Sequence, residues 1–290
     1  MSSDASPERS GSEEGETPAF RPALFYAWAF GIAWMAWAPL VLIKLELLRL
    51  PIPFGLVLFA GQTLGAFAPV LALFAMQRGA GQPGVAARVF RRLRLKGTPA
   101  VWLIAAATVP IGITMIIQWS GALISGEEVR ILRPEPVQEL GWALAAVIPF
   151  QFALGLIGSP LGEEPGWRGY VLEGFANRGR GLAGSAIVAP LWWVWHLPLF
   201  FVLGVEPSAG SLLAMAGHSL LIDSFYLAAG RNLLTSLLYH QGINTSFLFL
   251  MSSTERAGGG GALLAVALVV RMVAHRSGRA AGRAPTLPNE

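Results

Sequence analysis

Apolar residues run in blocks of about twenty along this chain, and polar residues gather between the blocks instead of alternating within them. A hydrocarbon core of ~30 Å needs roughly 20 helical residues at about 1.5 Å each. In lipid, every backbone N–H and C=O must be satisfied within a helix or a closed barrel. The lack of period-2 alternation points to helices. Eight blocks predict eight spans, at 23–43, 54–76, 99–123, 139–161, 183–204, 209–229, 232–252 and 260–275. The last is short and starts in a glycine run. The expected fold is all-α, a polytopic membrane protein of about eight transmembrane helices.

The flanks break this pattern. Residues 1–22 are rich in Ser, Glu and Pro and read as a disordered acidic tail. They lack the basic start of a cleaved signal peptide, so the first block is expected to stay as an anchor. Residues 276–290 read as a disordered C-terminal tail, leaving 23–275 as a single helical domain. No internal repeat of the transporter kind is visible.

Composition agrees with a lipid solvent. Hydrophobic residues make up 54% and charged residues 13%, with a mean hydropathy of +0.55; a soluble domain carries roughly 25% charged residues. Charge also orients the chain. With eight spans and both termini cytoplasmic, 16 of the 21 Lys and Arg fall inside and 5 outside, as the positive-inside rule requires. The basic loop "RGAGQPGVAARVFRRLRLK" at 78–96 is then a topology determinant lying against anionic headgroups. A pI near 10.0 needs no nucleic-acid partner. The absence of cysteine excludes a thiol nucleophile, disulfides and Cys-ligated zinc. Arg in excess of Lys suggests a GC-rich bacterial genome, hence a multi-pass protein of a bacterial inner membrane.

Ionisable groups within spans are expensive, at about 2.5–3.5 kcal/mol each at the helix centre, and mark candidate functional sites. The exceptions here are Glu163, Glu164 and Arg168 in "GEEPGWRGY"; His196 in "APLWWVWHLPLFF"; His218 and Asp223; and His240 with Asn244 in "LLYHQGINTSF". Glu164 and Arg168 are four apart with the acid N-terminal, the favoured order for a helical ion pair. Glu163 points about 100° away and is free for another task. Pro165 suits the first turn of a helix, so a capped helix start at the membrane edge is the plain structural alternative. His240 and Asn244 share one helix face, and such pairs also serve as interhelical glue. Together these groups supply the parts for hydrolysis. A carboxylate can act as general base on water. Two imidazoles with carboxylate or amide help can hold a metal that activates water, or His and Asn can donate to an oxyanion.

Glu-Glu-x-x-x-Arg (Glu163, Glu164, Arg168), an aromatic-x-x-x-His (Trp192, His196) and His-x-x-x-Asn (His240, Asn244), in that order, resemble the CPBP group of intramembrane endopeptidases. That group contains the CAAX prenyl proteases and the bacteriocin-processing or immunity (abortive-infection) proteins. The resemblance implies that Glu163 activates the attacking water and that His196 assists it or holds a metal. It implies that His240 and Asn244 stabilise the oxyanion or complete a metal site, with zinc the candidate cofactor. Glu164 and Arg168 would orient these groups, and Trp192, where many members have Phe, would form an aromatic wall. The implied partners are the bilayer and a membrane-embedded or lipidated peptide or protein substrate.

Counted from the span ends, Glu163 falls at the membrane edge while His196 and His240 lie deeper. The three can share one water only if the helix continues past Glu163 or breaks at Pro160–Gly162. Either way, a water-filled cavity open to the cytoplasm is expected. His218 and Asp223 read as interhelical hydrogen-bonding groups, and His275 as a solvated group near a span end. The rival readings are a polytopic transporter relaying protons or ions and a non-catalytic, immunity-type peptide-binding protein. A rhomboid-type serine protease built on Ser159 is disfavoured by Pro160 directly after the serine.

Overall fold

The structure is a computed structural model and describes residues 20–79, 81–126, 128–250 and 257–281. Most of both predicted tails, 1–19 and 282–290, lies outside the described residues, as does the His275 side chain. Described residues form helices and no strand; Leu132 and Leu250 make one isolated bridge.

The chain opens with α1 (Pro22–Lys44), started by a proline whose missing N–H costs nothing at a helix N-terminus. It is followed by α2 (Phe54–Ala66) and α3 (Ala68–Gly79), which meet at a 51° bend. A short α4 (Val85–Phe90) lies in the basic loop, and α5 (Ala100–Ser125) returns across the bundle. Next come α6 (Pro134–Leu140), α7 (Leu144–Gly155), α8 (Ser159–Gly166), a π-helical stretch at Trp167–Leu172 and α9 (Glu173–Ala176). The remainder is α10 (Gly181–Trp195), α11 (Leu197–Leu203), α12 (Ala209–Ala228), α13 (Leu233–Phe249) and α14 (Ala257–Ala281).

Every predicted block is helical. By length and apolarity, five described helical runs can cross a membrane, or six with the bent α2–α3 pair taken as one. The α13 helix, with 17 residues, and the apolar 259–273 part of α14 are shorter. The chain is therefore an all-α polytopic membrane protein.

The largest difference from the sequence reading lies in the fourth block. It does not stop at 161: the helical run extends from Pro134 to Ala176, 43 residues. The helix starts again at Ser159 after a break at Leu156–Gly158, with Pro160 in its first turn. Pro165 therefore sits inside α8 rather than at a helix start. Its missing N–H leaves the carbonyl of Leu161 without the usual i→i−4 donor, and the π-helical turns follow directly. Such turns insert an extra residue per turn and recur at functional sites. The charged residues are tolerated inside the bundle because, as shown below, they are paired there.

Small residues allow the close approach. A Cβ on Gly162 would lie 2.4 Å from the carbonyl oxygen of Ala66, and one on Gly166 would lie 2.5 Å from the Pro69 side chain. So α8 seats directly against the α2–α3 bend. On its other side α8 packs against α13, while α12 packs against α10 and α14.

Candidate active site

Four helices bring the predicted residues to one place. A cavity of about 400 Å³ is lined by Glu163 of α8, His196 at the α10–α11 junction, and His240 and Asn244 of α13. Its other walls include Trp37, Gln62, Thr63, Ser159 and Leu199. Glu163 is therefore not at a membrane edge. Counting back from Ala176 at 1.5 Å per residue puts it about 20 Å inside the helical run.

The Glu163 side chain is held by an indole. Trp192 Nε1–H donates to Glu163 Oε2 at 2.7 Å in a buried contact. The ring of Trp192 also lies edge-on to His196 and His240, with centroids 5.6 and 5.3 Å away. The guanidinium of Arg168 sits over its face at 5.2 Å, an arrangement favoured by the ring quadrupole. Trp192 is more than an aromatic wall: a phenylalanine could pack here but could not donate the hydrogen bond.

Local backbone geometry sets the imidazoles. At the end of α10 the His196 N–H bonds to Trp193 O instead of Trp192 O. That leaves the Trp192 carbonyl to accept from His196 Nδ1 at 2.7 Å. A carbonyl only accepts, so the proton of a neutral His196 is on Nδ1 and Nε2 keeps its lone pair. His240 Nδ1 likewise donates to Glu164 Oε1 at 2.7 Å, leaving its Nε2 for the cavity. The Asn244 amide donates through Nδ2 to Ser159 Oγ at 2.9 Å.

Behind these groups lies a closed set of charges. Arg168 is fully buried and donates Nη1–H to Glu164 at 3.1 Å and Nε–H to Asp223 at 3.0 Å. Its Nη2 reaches Ser219 Oγ at 2.7 Å. The predicted Glu164–Arg168 pair is thus present, but as a buried ion pair and not as a surface one. Charge-assisted, forked contacts of this kind fix geometry as well as sign. Asp223 completes the pair set from α12, 55 residues away in sequence; spacing had offered no partner for it. His218 is separate, with its Nδ1 3.5 Å from the Tyr239 hydroxyl, in keeping with an interhelical contact.

Residues 145–246 match the model of the type II CAAX prenyl endopeptidase Rce1-like family. Over that stretch the chain is similar to an Rce1-like domain. All three motifs, from Glu163 to Asn244, fall within the match. The matched family is one of endopeptidases, which supports an intramembrane endopeptidase at family level. A comparison with curated proteins finds no match to the chain.

A metal would have to draw on the two imidazoles and Glu163 or Asn244. Among the described residues, no group of three or more His, Asp or Glu side chains is placed to hold an ion. Glu163 Oε2 is already engaged by the indole. Among the described residues the cavity thus has two imidazoles without a third ligand gathered beside them.

Proposed function

We propose that the chain is an intramembrane endopeptidase in which Glu163 activates water inside the cavity. The observation that carries this reading is that Glu163, His196, His240 and Asn244 line one cavity, though they come from three separate stretches of sequence. A carboxylate beside a water and a peptide carbonyl can take the water proton as the oxygen attacks the carbonyl carbon. The carbonyl oxygen becomes an oxyanion, which accepts from Asn244 Nδ2 and from Nε2 of doubly protonated His240. Glu163 then passes its proton to the leaving nitrogen, the C–N bond breaks, and a carboxylate and an amine depart. His196 Nε2, with its lone pair available, accepts from the attacking water and orients it.

The remaining side chains keep this geometry. Trp192 restrains one oxygen of Glu163, Glu164 orients the His240 ring and balances its imidazolium charge, and Arg168 holds Glu164. Preorganised donors and acceptors in a water-poor site act without reorganisation cost at the moment of reaction.

The test is to reconstitute the purified chain in proteoliposomes in ¹⁸O-enriched water. Two peptides are supplied: one farnesylated at a C-terminal CAAX sequence, and one unlipidated membrane-spanning peptide. Mass spectrometry is expected to find cleavage of at least one peptide, with a single ¹⁸O in the new carboxylate. Intact peptides throughout would overturn the reading. Metal analysis of the same protein settles the cofactor. Zinc that is bound by wild type and lost in both His196→Ala and His240→Ala would put an ion beside Glu163.

A further inference from the structure

One buried cation lies outside the stretch matched to the Rce1-like family and outside the proposed mechanism. It is Arg271, in the apolar 259–273 part of α14. Its neighbours Val269, Val270, Met272 and Val273 are exposed, whereas Arg271 is 3% exposed. An arginine near the end of a span ordinarily extends its head group toward water. This one turns into the bundle.

The packing of α14 brings it there. A Cβ on Gly217 of α12 would lie 2.8 Å from the Leu263 side chain, so α12 and α14 approach closely. A Cβ on Gly181 of α10 would lie 3.3 Å from Arg271 Nη2, so that glycine leaves room for the guanidinium. Arg271 Nε–H donates to the buried Ser185 Oγ of α10 at 3.1 Å. The Ser185 hydroxyl and the Arg271 charge both act on the Asp223 carboxylate. Asp223 Oδ1 accepts from Arg168, while its Oδ2 is buried without a donor.

Arg168 is one cation shared between two carboxylates, Glu164 and Asp223. A second positive charge beside Asp223 relieves that competition. In the protonation state that the proposed reaction uses, Glu163, Glu164 and Asp223 are balanced by Arg168, Arg271 and the His240 imidazolium. We propose that Arg271 is a positioning residue of the site: through Ser185 and Asp223 it keeps Arg168 on Glu164, and Glu164 in turn holds the His240 ring. The last helix is then part of the working unit and not only a lipid-facing wall.

The consequence for cleavage rests on the endopeptidase reading; the consequence for His240 does not. Two measurements separate them. In proteoliposomes with the two peptides above, Arg271→Gln is expected to lower kcat about 3- to 30-fold, with KM little changed. Arg271→Lys, which keeps the charge, should recover most of the loss. Adding Arg271→Gln to Asp223→Asn should cost nothing further, because residues acting as one unit are not additive. An additive loss, or a loss of melting temperature at unchanged kcat, overturns the proposal.

The second measurement is side-chain nuclear magnetic resonance of ¹⁵N-histidine-labelled protein in detergent. The chain has four histidines, and His240→Gln identifies the signal of His240. Arg271→Gln should move that signal and leave His196 in place, and Arg271→Lys should return it. Ser185→Ala removes the link without removing a charge, and serves if Arg271→Gln does not fold. It should move the His240 signal in the same direction by less. A His240 signal indifferent to both variants overturns the proposal. So does an equal shift of every buried histidine, which would make Arg271 a packing residue. A wild type that cleaves neither peptide while its His240 responds would defeat the enzyme reading and leave the linkage standing.

Discussion

Two regions of the helical bundle handle charge in opposite ways. Toward the basic loop, Glu164, Arg168 and Asp223 are sealed from solvent and bonded to one another, and Glu173 gathers Arg92, Arg231 and the Tyr226 hydroxyl. Farther along the bundle, Glu163, His196, His240 and Asn244 border a cavity, and each holds one partner while leaving another atom available. Buried charge needs a partner or it costs several kcal/mol. The closed half pairs each charge, although Glu164 Oε2 and Asp223 Oδ2 are buried without a hydrogen-bond donor. The open half meets it only on the side away from the cavity, which is what a site must do if it is to bond a substrate. On the proposed function, the closed half is the support and the open half the instrument.

The largest expected effect comes from breaking the support. Arg168→Met removes the guanidinium that bridges two buried carboxylates, and removing one partner of a buried pair costs about 3–5 kcal/mol. A clear loss of thermal stability in detergent is expected, with no folded, active protein at the wild-type midpoint. A variant as stable as wild type would show that the closed half is not held by these pairs.

A smaller effect should appear where the halves meet. Trp192→Phe keeps the packing against His196 and His240 but deletes the donor to Glu163. A hydrogen bond to a charged group contributes about 1.5–3 kcal/mol, so kcat should fall roughly 10- to 100-fold, with KM and melting temperature little changed. An equal fall in stability would make the indole a packing residue and not a positioning one. Smallest of all is the exposed pair on the loop before α6, where Arg130 bonds Glu128 at 2.7 Å and both side chains are well solvated. Glu128→Ala should shift stability by less than about 1 kcal/mol. A larger loss would mean that solvent-facing pairs matter here as the buried ones do.

The helical blocks were legible because lipid demands about twenty apolar residues per crossing, and each block is helical. The Glu164–Arg168 pair was legible from its spacing, since four residues on a helix bring two side chains together. The depth of Glu163 was not. Hydropathy ends a span where charges begin, and here the helix carries on because the charges are paired inside the bundle. Asp223 escaped because its partner is remote in sequence, and the spacing to His218 carried no information about Arg168. The indole donor at Trp192 escaped for a different reason: an aromatic one turn before a histidine reads as packing until the carboxylate opposite it is located. Ser159, disfavoured as a nucleophile, accepts from the Asn244 amide.

The most direct test of the account is turnover by Glu163→Gln beside wild type in proteoliposomes, with peptide affinity measured on both. The glutamine keeps the size of the side chain and an acceptor for the Trp192 indole but cannot take a proton from water. General-base catalysis contributes about 10²–10⁴-fold, so cleavage should fall by at least two orders of magnitude while affinity for the peptide is retained. Cleavage by Glu163→Gln at the wild-type rate would contradict the central claim and move the chemistry away from this carboxylate.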